Sequence, residues 1–501
     1  MFNMEILAFV LYFVAVLAIG IVFFFRSKGN GEKEYFLGGR KMGPWVTALS
    51  AQASDMSAWL LMGLPGSILA FGLGQAWIGI GLAIGTALNW ILVAKRLRNF
   101  SQAAGDAITI PQYLSNRFAT KSPVLQIASA VIFLVFFTVY VASSFVAGTS
   151  VFTTVFENLD EQTAMLIFAA IILLYTFLGG FKAVCWTDFF QGMLMFVALL
   201  SVPIVIYMTH KLDTAALSNV YTYTENGKTI TCAFTSNLFS ADWKEIVSGL
   251  AWGLGYFGMP HILVRFMSIQ KSSMVKKSAV IAIVWVFVTL LSAILIAYFG
   301  RMLIGEQLLA NGSQKLVFIQ LARMLFPAFV AGILMAAIIA ASMSTADSQL
   351  LVASSTFTSD IYKKVMRKNA SDKELLWVGR LVVLIVAIIA YFIASSEGSG
   401  AQAIMNMVEN AWAGFGSAFG PVILLSLFWK RFTYKGAVAG VIGGAVVDVL
   451  WLLCMSETGI YEIIPGFIVG FVLSVVVSLI DKKPSTEVCA IYEKAVSNEL
   501  E

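Results

Sequence analysis

The sequence predicts an all-α integral membrane protein with about thirteen transmembrane helices, and three observations lead to this fold class. The 501 residues are 59% apolar and only 12% charged, whereas roughly 25% of the residues of a soluble domain are charged. Apolar runs of about 20 residues, the length needed to cross a bilayer, recur along the whole chain. The Lys and Arg residues are concentrated in every second connection between these runs.

Thirteen apolar runs can be placed in order along the chain. They lie at 4–25, 44–70, 75–95, 124–153, 162–180, 187–209, 246–268, 277–299, 322–357, 375–395, 402–428, 435–455 and 463–480. The first begins with Glu5 instead of a basic segment, and no small-residue cleavage site follows, so we do not expect a cleaved signal peptide. The polar tail 482–501 is short, and residues 1–501 are therefore expected to form a single membrane domain.

Positive charge predicts the orientation, because the cytoplasmic connections of membrane proteins carry an excess of Lys and Arg. With the N-terminus outside, 27 of the 33 Lys and Arg residues fall in inner segments and 6 in outer segments. We expect a multi-pass protein of the cell membrane, surrounded by the lipid bilayer, with a cytoplasmic C-terminus. The long connections 210–245, outside, and 358–374, inside, are both expected to be solvated.

Composition and motifs argue against several classes of function. The basic residues form no stripe of the kind that binds nucleic acid, so no nucleic-acid partner is expected. Two His and four widely separated Cys argue against a metal site built from these residues. Gly253-x-Gly255-x-x-Gly258 matches a dinucleotide fingerprint, but it lies in an apolar run where no strand precedes it. We do not expect an enzyme; an intramembrane enzyme that uses Asp55 and Asp347 as a pair is the alternative left open.

The second run carries an ionisable residue, Asp55, at membrane depth, where charged groups are costly and usually functional. Small residues surround it, and Gly63-Leu64-Pro65-Gly66 follows. This composition permits a broken helix, whose freed carbonyls can bind a cation. The alternative is a kinked helix in which Asp55 pairs with a neighbouring side chain.

The seventh run is also expected to be broken, because four Gly and one Pro lie within residues 249–261. Trp252 and Tyr256 are four residues apart and share a face wherever the segment is helical. Paired aromatic rings beside unwound backbone suit a small, partly apolar ligand. The alternative is close helix packing through the Gly residues.

The ninth run contains Ala341-Ser342-Met343-Ser344-Thr345-Ala346-Asp347-Ser348. Ser344 and Thr345 follow Ala341 by three and four residues, so the two hydroxyls share a helix face with the Ala341 carbonyl. These oxygens are hard ligands suited to a small monovalent cation. The alternative is that the hydroxyls bond carbonyls of their own helix, as Ser and Thr often do in membrane helices.

The two broken runs are five apart, which suggests an inverted repeat of five helices plus five. Broken helices at matching positions of two repeats mark a binding site near the middle of the membrane. The repeats would occupy about 44–209 and 246–428, with one extra helix before them and two after. The inference rests on the spacing of the breaks.

Several stretches resemble the sodium:solute symporter family, and the similarity covers nearly the whole chain. The stretches are Gly38-Gly39-Arg40, Gly43-Pro44-Trp45-Val46-Thr47-Ala48-Leu49-Ser50, Ser54-Asp55-Met56-Ser57-Ala58-Trp59-Leu60-Leu61-Met62-Gly63-Leu64-Pro65-Gly66, Tyr175-Thr176-Phe177-Leu178-Gly179-Gly180-Phe181, Trp186-Thr187-Asp188, residues 252–265, and Ser344-Thr345-Ala346-Asp347-Ser348. The resemblance implies the leucine-transporter-type fold with thirteen helices. Within the family, the match is greatest to the proline carriers.

The resemblance also implies positions for the two sites. Sodium would be bound by main-chain oxygens of Ala53, Met56 and Ala341 and by the hydroxyls of Ser344 and Thr345, and Asp55 matches an acidic position needed for sodium. The proline pocket would be lined by Tyr140, Trp252, Tyr256 and Pro260, with Ser57 beside it. Asp188 matches a further acidic position implicated in sodium coupling.

Taken together, the residues and the resemblance predict a secondary active transporter. It would couple inward sodium flow to uptake of L-proline by alternating access, with the sodium ion as the co-transported partner. The alternative is a sodium symporter for another small solute, such as pantothenate, a sugar or another amino acid.

Overall fold

Helices occupy the positions of all thirteen predicted apolar runs in the computed structural model, which describes residues 4–26, 31–156, 158–225, 228–397 and 403–497. These residues are mostly helical, and one two-stranded hairpin is present among them. The all-α membrane fold class is therefore confirmed. The tail predicted at 482–501 is described to residue 497 and contains a helix.

The described residues of the first half of the chain contain ten α-helices. They are α1 (Met4–Arg26), α2 (Gly31–Leu37), α3 (Pro44–Met56), α4 (Gly63–Phe71), α5 (Ala76–Leu88), α6 (Lys95–Ala103), α7 (Ile110–Arg117), α8 (Val124–Val155), α9 (Glu161–Gly179) and α10 (Phe181–Thr209). A π-helical segment, Asn89–Ala94, joins α5 to α6 so that the two form one long rod. The connection predicted outside then forms an antiparallel hairpin of β1 (Tyr221–Glu225) and β2 (Lys228–Cys232).

Another ten α-helices lie within the described part of the second half. They are α11 (Trp243–Ala251), α12 (Pro260–Ser268), α13 (Val275–Leu309), α14 (Val317–Leu325), α15 (Ala328–Thr356), α16 (Asp372–Glu397), α17 (Ala403–Phe428), α18 (Tyr434–Cys454), α19 (Ile463–Ile480) and α20 (Thr486–Val496). A 3₁₀ segment, Trp252–Phe257, follows α11. A π-helical segment, Phe357–Met366, continues α15.

Within the described ranges, ten helices are long and apolar enough to cross a membrane, or eleven if a bent pair counts as one span. That pair joins 243–257 to α12 at an angle of 43° and is the predicted broken seventh run. The second run is divided into α3 and α4, and the 13 residues of α3 extend only about 20 Å. The count of thirteen crossing helices and the repeat bounds 44–209 and 246–428 stay predictions.

Burial separates the helices at the centre of the protein from those at its edge. In the most apolar stretches, 89% of the residues are buried in α17 and 78% in α15, against 22% in α1 and 28% in α18 and α19. The α15 helix packs against α8, α10, α1 and α3. The centre is therefore built around α15, α17 and the buried α3, while α1, α18 and α19 present apolar faces outward, as expected of helices that contact lipid.

Parts of the two connections that were expected to be solvated are folded against the helices, although most described residues of 210–245 are exposed, as predicted. Arg301, near the end of α13, is 1% exposed, and its guanidinium donates to the carbonyls of Leu69 at 3.0 Å, Asn219 at 2.5 Å and Cys232 at 3.2 Å. The outer hairpin is thereby tied to α4. In the other connection, Asp360 is 1% exposed within the π-helical segment. Polar composition did not reveal that Asp360 and the carbonyls of Asn219 and Cys232 have partners inside the protein.

Arg40 ties together the ends of three elements on the predicted inner face. Its Nε donates to Asp106 at 2.7 Å, and its remaining nitrogens reach the carbonyls of Met267 at 2.5 Å and Ala107 at 2.8 Å. Burial by itself raises the pKa of the Asp106 carboxyl, but the hydrogen bond from Lys33 and the Arg40 charge outweigh it, so this pKa lies below its usual value. Asp106 therefore stays ionised at neutral pH and holds both cations.

Candidate functional site

The predicted break in the second run lies at Met56 and Ser57. The α3 helix ends at Met56, and Ser57 has φ 47°, a conformation that costs energy for a residue with a side chain. The Ser57 hydroxyl accepts a hydrogen bond from the backbone N–H of Trp59 at 3.1 Å and so stabilises the turn. Since the last four carbonyls of a helix have no partner within it, the oxygens of residues 53–56 are available to other groups.

One of these freed carbonyls meets the serine- and threonine-rich stretch of α15. The Ser344 hydroxyl oxygen lies 2.9 Å from the Ala53 carbonyl oxygen and 3.1 Å from that of Ala341. The Thr345 hydroxyl is fully buried and has no hydrogen-bond partner among the described residues. Three of the predicted sodium ligands are thus in direct contact, and a fourth is unpartnered in the same helix turn. Carbonyl and hydroxyl oxygens are the ligands found for sodium at unwound helices, so this set fits the ion.

Asp55 faces a different group of residues from the Ala53 carbonyl. The Tyr256 hydroxyl donates to the Asp55 carboxylate at 2.6 Å, and the Tyr140 hydroxyl donates to the Asp55 backbone carbonyl at 3.4 Å. These bonds join α3 to the 3₁₀ segment of the seventh run and to α8. The structure therefore brings Asp55 together with two of the predicted pocket residues. Its carboxylate accepts a hydrogen bond from Tyr256 and not from Ser344 or Thr345.

Trp252 is the centre of an aromatic stack beside these hydroxyls. It is 2% exposed, and its ring centroid lies 5.6 Å from that of Trp59 and 5.4 Å from that of Tyr461. Trp412 donates from its indole nitrogen to the Trp252 carbonyl at 2.8 Å and packs edge-on against Tyr256, with centroids 5.0 Å apart. The stack provides a flat apolar wall at the break of the seventh run.

Two predicted pocket residues have simpler positions. Pro260 is the first residue of α12, where a missing N–H costs nothing, and it is buried. Ser57 stabilises the turn after α3 as described. Three aromatic residues of the stack were not predicted as pocket residues: Trp59, Trp412 and Tyr461. Trp412 lies in α17 and Tyr461 lies just before α19, both far along the chain from the broken runs. Their positions in the sequence therefore give no indication of this contact.

A buried ion pair and its hydrogen bonds join four helices: α3, α10, α12 and α15. Arg265 of α12 lies 3.1 Å from the Asp188 carboxylate of α10, and the two side chains are 1% and 0% exposed. The guanidinium also reaches the Ser50 hydroxyl at 3.1 Å and the His261 carbonyl at 2.7 Å, and it donates to Ser348. Ser50 in turn donates to Asp188 at 2.7 Å. Arg265 was counted among the cations of an inner connection, and the structure instead buries it in the protein.

The structure describes more buried carboxyl groups than cations in this network. Asp347 is 0% exposed, and neither of its carboxylate oxygens has a hydrogen-bond partner in the part of the chain that the structure describes. The second oxygen of Asp188 is also unpartnered there. Arg265 is the cation described at this point, and it faces both carboxylates. A further cation or a proton between α10 and α15 would compensate these carboxyl groups, because buried charges need compensation.

Comparison with known proteins gives one family and several long matches. The model of the sodium:solute symporter family matches residues 35–444. The sodium/proline symporter of Haemophilus influenzae is 43% identical, with 99% of this chain and 98% of that protein covered. The Escherichia coli sodium/proline symporter is 43% identical over 96% of this chain and 94% of its own, and the osmoregulated proline transporter OpuE of Bacillus subtilis is 43% identical over 95% and 94%.

Two solved structures resemble the fold at low identity. A Na⁺-coupled sialic acid symporter in a substrate-bound, outward-open state has a TM-score of 0.75 at 19% identity, with 96% of this chain and 99% of that chain covered. A transporter of the nucleobase-cation-symport-1 family has a TM-score of 0.55 at 12% identity, with 92% and 98% covered. At these identities the likeness concerns the fold, and it agrees with the leucine-transporter-type architecture expected from the sequence.

Replacement of Arg265 by Met should destabilise the protein strongly, because it leaves two buried carboxylates without a cation. The expected loss is about 3–5 kcal/mol in the free energy of unfolding, measured as a lower thermal unfolding midpoint in detergent. The double variant Arg265→Met/Asp188→Leu should recover part of this loss, because it also removes one of the uncompensated charges. Strictly additive destabilisation by the two substitutions would contradict the pairing.

Proposed function

Because the chain belongs to the sodium:solute symporter family, we propose that it carries L-proline into the cell together with sodium by alternating access. The relatives named as proline transporters support this substrate. The ion supplies the driving force, about 2.3 kcal/mol per charge per 100 mV of membrane potential, in addition to its concentration gradient. The solute leaves the protein chemically unchanged, so the proposal includes no enzymatic step.

The observation that carries the proposal is that residues at one helix break contact both the proposed sodium site and the proposed proline pocket. The Ala53 carbonyl contacts Ser344 at 2.9 Å, while two residues later the Asp55 carboxylate accepts a bond from Tyr256 at 2.6 Å. An ion that pulls on the carbonyls of this break therefore also positions the residue that faces the aromatic stack. Coupling requires that each ligand favour a conformation which the other also favours, and a shared helix break provides this.

The residues fall into three proposed roles. For sodium they are Ala53, Asp55, Met56, Ala341, Ser344 and Thr345; for proline they are Ser57, Tyr140, Trp252, Tyr256 and Pro260; and for coupling the residue is Asp188. The ion pair of Asp188 with Arg265 joins α10 to α12, the second half of the broken seventh run. Rocking of that run during alternating access must move or break this pair, which supports a role in coupling.

Proline suits the aromatic stack for chemical reasons. It has a compact apolar ring, a secondary ammonium group and a carboxylate. The faces of Trp252, Tyr256 and Tyr140 can pack on the ring and attract the ammonium. Backbone groups at the helix breaks can meet the two charged ends, since such ends bind ions and carboxylates in broken membrane helices.

Uptake by proteoliposomes tests the proposal against the alternative solutes. The purified protein should accumulate radiolabelled L-proline only when an inward sodium gradient is imposed. Excess unlabelled proline should abolish this uptake, while pantothenate, a hexose or a large amino acid should not. Strong sodium-driven currents with another solute and none with proline would overturn the substrate assignment.

We propose a cell-membrane location with an outer N-terminus and a cytoplasmic C-terminus. A thiol-labelling test at Cys232 is unsuitable, because this outer-loop residue is 0% exposed. In a Cys454→Ser/Cys489→Ser background, Thr214→Cys should react with an impermeant maleimide in intact cells. Lys483→Cys should react only after permeabilisation, since both positions are exposed but lie on opposite predicted faces. The reverse pattern would contradict the orientation.

Removal of either hydroxyl of the proposed ion site should weaken sodium activation. An interaction with a charged group contributes about 1.5–3 kcal/mol, so Ser344→Ala and Thr345→Ala should each raise the half-saturating sodium concentration for uptake roughly tenfold or more. The matched control is Ser342→Ala, because this equally buried hydroxyl bonds the Ile338 carbonyl of its own helix at 3.0 Å. If all three variants show the wild-type sodium dependence, the site is misplaced.

Truncation of Trp252 should weaken proline binding while sodium binding survives. We expect Trp252→Ala to raise the proline dissociation constant roughly tenfold, the effect of losing an aromatic face near an ammonium group. Trp285→Ala is the control, because Trp285 is 3% exposed and bonds the Gly192 carbonyl at 3.1 Å away from the stack. The control variant should lower the thermal unfolding midpoint without a selective loss of affinity for proline. Equal loss of sodium and proline binding in Trp252→Ala would assign this residue to packing.

A further inference from the structure

A basic cavity of about 600 Å³ lies at the face that the topology assigns to the cytoplasm. It is bounded by α2, α7, the start of α8 and the π-helical segment Phe357–Met366. Four lysines and two carboxylates line it: Lys121, Lys363, Lys364, Lys368, Glu32 and Asp360. The lining therefore carries net positive charge, and a cavity with such a lining concentrates anions.

Most of this positive charge is not neutralised within the protein. Lys363 pairs with Glu32. Lys121, Lys364 and Lys368 have no carboxylate within ion-pair distance among the described residues. Lys121 and Lys368 are exposed, and Lys364 is partly exposed and interacts electrostatically with Asp360. Because all three line one cavity, their charges together favour an anion there. A phosphate group, with its several negative oxygens, is the anion that such lysines bind.

The inner wall of the cavity is built from buried polar groups. Asp360 is 1% exposed, and its two oxygens accept bonds from the Thr109 hydroxyl at 2.7 Å and the Gln126 amide at 2.9 Å. Gln126 is itself 1% exposed, lines the cavity, and has a carbonyl oxygen with no partner in the described chain. A buried acceptor of this kind calls for a donor, and a ligand hydroxyl supplies one.

The start of α8 adds a third feature. This 32-residue helix begins at Val124 with no side-chain cap from Pro123, which also lines the cavity. The first N–H groups of a helix lack partners within it and carry partial positive charge, so they favour an anion.

We propose that this cavity binds a phosphate ester that carries free hydroxyl groups, the chemistry of a glycerol-type anionic lipid headgroup. The phosphate would lie among Lys121, Lys364 and Lys368, and a hydroxyl would donate to Gln126. Val365 lines the cavity and is 46% exposed, and the next residue, Met366, is 66% exposed; these apolar side chains suit acyl chains. Basic pockets between membrane helices on the cytoplasmic side bind such headgroups in other proteins.

Occupancy of the cavity would stabilise the arrangement of the transport site without contributing a residue to it. The π-helical segment continues α15, which carries Ser344 and Thr345, and the other wall begins α8, which carries Tyr140. A ligand that bridges the two ends therefore holds these helices together. This inference does not depend on which solute is carried.

The test is thermal unfolding of the purified full-length protein in nanodiscs of dioleoylphosphatidylcholine with increasing dioleoylphosphatidylglycerol. The glycerol lipid should raise the unfolding midpoint of the wild type. In the variant Lys121→Gln/Lys364→Gln/Lys368→Gln, the fraction of glycerol lipid that gives half of the rise in the unfolding midpoint should increase at least about tenfold. The reason is that each lysine near an anionic surface strengthens binding about fivefold. The matched control is Lys271→Gln/Lys276→Gln/Lys277→Gln, three exposed lysines on the same predicted face, which should respond like the wild type.

Two further probes separate the parts of the proposal. Dioleoylphosphatidylmethanol has the same charge but no hydroxyl, and it should stabilise the wild type less than the glycerol lipid does; an equal effect would overturn the hydroxyl contact to Gln126. Soluble sn-glycerol 3-phosphate tests the source of the ligand. A response to it that is lost in the same triple variant would support the site and assign its ligand to the cytosol. If the triple variant responds to the glycerol lipid as the control does, the proposed site is wrong.

Discussion

The interruption of α3 after Met56 is the constraint on which the rest of the site depends. In a bilayer, backbone groups must find partners within the protein, and a helix that ends at membrane depth leaves its last carbonyls without them. Here Ser344 of α15 meets the Ala53 carbonyl and Tyr140 of α8 meets that of Asp55. The break is therefore stable only where these helices supply donors, and a cation among the same oxygens would replace those donors. In the proposed site, a bound ion and the neighbouring helices would thus use the same carbonyls at the end of α3.

A second group of buried charges extends this dependence to α12, the second half of the seventh run. Arg265 of α12 joins Ser50 of α3, Asp188 of α10 and Ser348 of α15. Two of these helices, α3 and α15, also meet at the freed Ala53 carbonyl. Because a buried charge without compensation is expensive, the positions of these helices are linked, and displacement of one alters the electrostatic free energy of the others. In the proposed function, this linkage would couple the ion to the solute.

Much of this arrangement could be predicted from the sequence, for identifiable reasons. Hydropathy located the helices, and Gly, Pro and a polar residue at membrane depth located both breaks, because these features act locally along the chain. The partners of the breaks are distant in sequence: Trp412 and Tyr461 reach Trp252 only through tertiary packing. Arg265 was counted with a cytoplasmic connection because it lies near the end of its run. Arg301, counted with the outer cations, is likewise buried, and composition alone cannot distinguish an exposed cation from a buried one.

The central claim is that sodium and proline bind to linked sites, and the reciprocity of binding tests it most directly. Thermodynamic linkage requires that sodium raise the affinity for proline by the same factor by which proline raises the affinity for sodium. Both factors can be measured with the purified protein, by titrating proline at several sodium concentrations and sodium at several proline concentrations. The account predicts two equal factors well above one. A proline affinity that is independent of sodium would contradict it.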